Sequence, residues 1–156
     1  MVSKEVEKLL LKVQKPGRYV GGELNEVIKD KKKVDCRFAF CFPDTYEVGM
    51  SHLGMKILYS LMNAVPYIWC ERVFAPWVDM EEEMIKHNIP LYALESGDPV
   101  SDFDFIGFTL QYELSFTNML NMLRLSGVPI KSCDRKELKN IVVCLLYTSP
   151  SPRDTE

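Results

Sequence analysis

No apolar run in this chain approaches the roughly 20 residues that a membrane-spanning helix requires, so no such segment is expected. A dominant charge is missing too. The net charge is -3, with acids and bases interspersed, and no basic field offers itself to nucleic acid. The five cysteines, Cys36, Cys41, Cys70, Cys133 and Cys144, are odd in number and show no CxxC spacing. That argues against a disulfide framework and for small apolar residues in or beside a strand. There is no CxxxCxxC run to hold an iron–sulfur cluster, no GxGxxG and no Walker loop. Residues 1–8 carry acids and no early apolar stretch. A secretory signal is therefore not expected, and the cytoplasm is the expected compartment.

What is present is enough for one domain: 156 residues, 47% of them hydrophobic. Val6, Leu9, Leu10 and Val13 fall on one face of a helix over 3–14, with Ser3 as a candidate cap. Pro16 and Gly17 end it, and an arm with paired glycines, Gly21 and Gly22, follows. A plain turn is the simpler reading of that pair, against a close backbone approach. The run Lys29-Asp30-Lys31-Lys32-Lys33 reads as a solvated loop. Strands are predicted over 35–42, 67–73, 89–94 and 103–110 and from 141, with helices between most of them. This alternation predicts an α/β fold: a Rossmann-like or flavodoxin-like open parallel sheet of about five strands flanked by helices, incomplete at the C-terminus. Residues 1–34 form a helix and arm, and 35–143 form the α/β domain.

Chemistry concentrates at two polar strand ends. Asp44, Tyr46, Glu47, Ser51 and His52 follow the first strand, and Gln111, Tyr112 and Glu113 follow the fourth. If those strands are neighbours, the two clusters share one crevice at the carboxyl edge of the sheet, where open α/β sheets place ligands. The following helix has two possible starts: an Asp44/Glu47 capping box, or Ser51 as N-cap. Met50, Leu53, Ile57, Leu58 and Leu61 are expected to face the sheet. The frame Asp44-x-x-x-x-Gly49 matches the cobalamin signature Asp-x-His-x-x-Gly, with Tyr46 in the histidine place. A phenol is a poor neutral ligand for cobalt beside an imidazole, and His52 is out of frame. No metal ligand and no catalytic residue is assigned. Glu47, Glu71, Glu95 and Glu113 near strand ends read as solvated or capping acids.

The periodicity stops near Cys144. Residues 144–156 resemble the translation of a sequencing-adapter read, against the alternative of a disordered Ser/Pro tail, and are set apart from the domain.

Several blocks, in order, resemble one family. They are Pro16-Gly17-Arg18-Tyr19 with Gly21-Gly22-Glu23, Phe42-Pro43-Asp44 with Tyr46-Glu47-Val48-Gly49-Met50-Ser51, Glu71-Arg72-Val73-Phe74-Ala75-Pro76, Phe103 to Phe108, and Gln111-Tyr112-Glu113. Together they resemble the N-terminal, cobalamin-binding-like domain of a family of radical SAM proteins, over about residues 15–143. The resemblance implies a following barrel that binds a [4Fe–4S] cluster and S-adenosylmethionine and generates a 5'-deoxyadenosyl radical. The chain would then be an accessory domain covering that active site, truncated before the barrel and catalytically incomplete. Its partner would be the C-terminal barrel of the same polypeptide, and no cofactor is expected in the fragment itself. The alternative is a stand-alone binding module for a cobalamin-type ligand.

Overall fold

The fold is taken from a computed structural model that describes residues 4–136 and 138–146. The candidate cap Ser3 and the Ser/Pro-rich stretch 147–156 lie outside the described residues. Four parallel strands form one open sheet in the order β2-β1-β3-β4. They are β1 (Cys36–Phe42), β2 (Ile68–Phe74), β3 (Phe105–Leu110) and β4 (Ile141–Leu146). The helices are α1 (Lys4–Leu10), α2 (Tyr46–Ser51), α3 (Leu53–Ala64), α4 (Val78–His87) and α5 (Ser115–Leu125). This is the Rossmann-like or flavodoxin-like arrangement that the alternation predicted, with one strand fewer among the described residues. The expected strand over 89–94 is an extended segment. It donates Leu94 N–H to the Arg72 carbonyl and forms one antiparallel bridge, Tyr92 to Pro99. Pro90 lacks a backbone donor, and the turn before Pro99 folds the segment back on itself. β4 continues through Leu146, beyond the residue 143 at which the sequence pattern ended the domain.

The larger core fills one face of the sheet. Ala39, Cys41, Val73, Ile106 and Phe108 point into it from the strands. Met80 and Met84 of α4, Met122 and Leu123 of α5, and Val6 and Leu9 of α1 close over them. α1 stops at Leu10, shorter than expected; Lys12 N–H turns back to the Leu9 carbonyl, and Gln14 N–H donates to Asp79 of α4, both at 2.8 Å. Gly127 adopts φ 69° just past α5, the left-handed C-terminal stop expected of it.

The second face carries the smaller cluster of Phe40, Phe42, Cys70, Phe74 and Leu94 beneath Met55 and Tyr59 of α3. Here the structure corrects the sequence reading. Leu53, Ile57, Leu58 and Leu61 are exposed; Met55, Tyr59 and Asn63 face inward. Polar partners at β2 set this rotation. Asn63 accepts from Cys70 N–H and donates to the Cys70 carbonyl, both at 3.0 Å. The Tyr59 ring lies 4.6 Å from the Arg72 guanidinium carbon. The edge of β2 is thereby sealed with side chains, as an exposed edge requires. Lys29 contributes as well: its ammonium donates to the carbonyls of Asn63, Val65 and Ile68, so this member of the charge run is not a solvated lysine. Gly21 is likewise more than a plain turn. Its φ is 68°, and a Cβ there would stand 2.4 Å from the Leu94 carbonyl oxygen.

Candidate functional site

β1 and β3 are neighbours, so the two polar strand ends meet. β1 leads outward to β2 on one side, while β3 leads to β4 on the other. The crevice between their carboxyl ends is the topological switch point of the sheet. It has a volume of about 230 Å³ and is lined by Phe42, Pro43, Asp44, Val48, His52, Thr109, Gln111, Tyr112 and Ser115.

The helix after β1 uses neither expected start. α2 begins after Thr45, breaks at His52, and α3 begins at Leu53. His52 is the N-cap of α3, its Nδ1 accepting from Met55 N–H at 3.2 Å. Nε2 therefore carries the proton and donates to the Gln111 carboxamide oxygen at 3.1 Å. The Gln111 amide donates onward to Thr109 Oγ1 at 2.8 Å. Across the mouth, the Tyr112 hydroxyl donates to Asp44 Oδ2 at 3.1 Å, and Asp44 Oδ1 accepts from Thr45 N–H at 2.7 Å. Asn118 of α5 donates to the Pro43 carbonyl at 3.0 Å, tying the β1 turn to α5. The crevice is thus bridged twice between the β1 and β3 loops.

Asp44, His52, Gln111 and Tyr112 come together as the sequence suggested; the other four candidates do not line the crevice. Tyr46 turns the other way, its ring edge-on to Phe74 at 5.5 Å and its hydroxyl donating to Glu23 of the arm. Burial first, and then the Glu23 carboxylate, push this phenol up to about 12. Glu47 pairs with Arg18 at 2.8 Å and Lys15 at 3.3 Å instead of making a capping box, and the Arg18 hydrogen bond leads in holding its pKa below the ordinary value. The Ser51 hydroxyl donates to the Val48 carbonyl within α2, and Glu113 is exposed. Sequence reasoning missed Thr109 and Ser115. Thr109, a hydroxyl in an otherwise apolar strand, was the available signal.

Two acids expected at the surface are buried. Glu71 pairs with Arg37, and Glu95 with Arg72 at 2.6 Å. Burial raises both carboxyls, with the guanidinium partners opposing it. Arg72 is 3% exposed, and its Nη2 has no hydrogen-bond partner. Breaking a buried pair of this kind costs about 3–5 kcal/mol. This network joins β1 to β2 away from the crevice, and its role is to fix the arm and the 91–96 segment against the sheet edge.

Among the described residues, no three of His, Cys, Asp or Glu converge where they could hold a metal ion. Cys41 and Cys70 are buried, and burial raises both thiols, the opposite of what a thiolate ligand needs. The donors present therefore do not fit an iron–sulfur cluster. They do not fit cobalt ligation either, since both nitrogens of His52 are engaged and Tyr46 points away from the crevice. Among the described residues, no helix is long and apolar enough to cross a membrane.

A family model described as radical SAM proteins, N-terminal, matches residues 54–151, well over half of the chain. The match begins at Gly54, just after the turn that carries Asp44 and His52. No curated protein and no solved structure matches the chain.

Proposed function

Because this chain belongs to the family of radical SAM proteins, as part of their N-terminal region, we propose that it is an accessory domain whose crevice faces the catalytic part of a longer polypeptide. In that polypeptide, the iron–sulfur cluster and S-adenosylmethionine belong to the catalytic part. This domain supplies a shaped, polar edge. The observation that carries the reading is the crevice itself. Its side chains bridge β1 to β3 through His52–Gln111 and Asp44–Tyr112, and they offer hydrogen-bonding groups without a metal-binding set. His52, with Nδ1 as acceptor and Nε2–H as donor, positions Gln111 and caps α3. The Tyr112 hydroxyl is half-exposed at the mouth and free to turn from Asp44 toward an incoming group.

The alternative of a stand-alone cobalamin carrier has less support. A volume of about 230 Å³ is small beside the roughly 300–1,000 Å³ of pockets that enclose a drug-sized ligand. The accessory reading is tested in the intact polypeptide with its cluster reconstituted, by measuring 5'-deoxyadenosine formation in the wild type and in His52→Ala and Tyr112→Phe. Unchanged cluster absorbance with altered 5'-deoxyadenosine yield supports it. Identical yields in all three proteins sink it. Titration of the 156-residue chain with hydroxocobalamin tests the alternative: a spectral change saturating at micromolar concentration would favour the carrier.

A further inference from the structure

α3 is apolar on nearly every side. Met55 and Tyr59 meet the sheet, while Leu53, Ile57, Leu58 and Leu61 stand out with 69, 50, 40 and 62% exposure. A helix that is hydrophobic all round belongs in a buried position. The same side of the sheet stays open farther along. Phe38 and Phe105 stack at 6.2 Å and are only partly covered. The register sets Ile141 beside Phe105 and Val143 beside Gly107, and both β4 side chains are exposed. At its upper end the α3 stripe begins at Leu53, next to His52 in the crevice wall.

None of the described helices can close this side. Right-handed crossovers put α3 here, between β1 and β2, and carry α4 and α5 to the opposite face on the way to β3 and β4. The described residues leave this side open, and the matched family describes an N-terminal portion of radical SAM proteins. We propose that this side of the domain is the docking surface for the catalytic part of the same radical SAM polypeptide. That part lays an apolar helix along Leu53, Ile57 and Leu61 and over Phe105 and Ile141. This rests on the accessory-domain reading. It adds which face is used, and it seats the partner at the crevice mouth through Leu53.

Hydroxyl-radical footprinting with mass spectrometry reads side-chain access directly. It is applied to the 156-residue chain and to the intact radical SAM polypeptide, with sedimentation velocity on the same samples. Oxidation at Leu53, Ile57, Leu61, Phe105 and Ile141 is expected to fall several-fold in the intact polypeptide, with exposed Leu11 unchanged. Equal oxidation in both proteins overturns the proposal. So does protection already present in the 156-residue chain as a dimer, which would make a second copy the occupant. The iron–sulfur absorbance of the intact polypeptide is read separately. Its absence would sink the radical SAM reading while the footprint still judged whether this face is covered.

Discussion

The two faces of the sheet are built from similar residues and finished differently. On the larger-core face, Ile106 and Phe108 of β3 are closed over by α1, α4 and α5 and are at most 2% exposed. On the other face, α3 and the arm cover β2 and part of β1, and the apolar side chains Phe105, Ile141 and Val143 remain open. The two edges differ in the same sense. The outer backbone groups of β2 are taken by Lys29, Asn63, Leu94 and Glu95, whereas among the described residues no strand pairs with β4 on its outer side. Among the described residues, the domain is closed on its β2 side and around its larger core, and open on the side that carries the crevice-to-α3 stripe. That asymmetry separates what stabilises this chain from what it offers to another surface.

The contrast is sharpest in truncation. Phe108→Ala should cost about 3–5 kcal/mol, and Ile57→Ala should change stability by no more than about 0.5 kcal/mol. Urea melts of the 156-residue chain that gave equal losses would break the comparison. A smaller effect is expected where the crevice turn meets the smaller cluster. A Cβ on Gly49 would stand 2.2 Å from the Phe74 ring and 3.2 Å from Phe42. Gly49→Ala should therefore destabilise by about 1–3 kcal/mol, and thermal melts that coincide with wild type would show that the α2 packing is loose.

His52→Ala removes the α3 cap and should cost about 1 kcal/mol, while His52→Asn, which keeps an acceptor for Met55 N–H, should recover most of it. A failure of Asn to rescue would mean that the Gln111 bridge, not the cap, carries the effect. The smallest effect is expected at Asp104, which accepts from Arg37 N–H at 2.8 Å and pairs with Lys139 at 2.6 Å. Burial works against its charge, but Lys139 and the Arg37 N–H outweigh it and lower the pKa. A carboxyl lowered by folding contributes fully above its unfolded value of about 3.9 and loses that contribution as pH falls through the folded value. Lys139 is largely exposed, so the gap between wild type and Asp104→Asn should be under about 1 kcal/mol near neutrality and close below about pH 4. A gap that widened in acid would reverse the sign assigned here.

Much of this was legible in the chain because it is written locally. Asp44 and His52 after one apolar run, and Gln111 and Tyr112 after another, mark two strand ends, and parallel alternation puts both on one edge. Gly127 before Pro129 marks a helix stop. What escaped depends on partners distant in sequence. The rotation of α3 could not be read from a helix with apolar residues all round; Asn63 bonding Cys70 and Tyr59 packing on Arg72 decide it. Tyr46 leaves the crevice for Glu23, 23 residues earlier. Glu71 and Glu95 look like strand-end acids until Arg37 and Arg72 are placed beside them.

The most direct measurement is Ile57→Glu, made both in the 156-residue chain and in the intact radical SAM polypeptide, with the melting of this domain followed in each. The asymmetry of the two faces predicts little change in the isolated chain, where Ile57 already meets water, and a loss of about 1–3 kcal/mol in the intact polypeptide, where a carboxylate would be forced into an apolar contact. The same change in both proteins would contradict it.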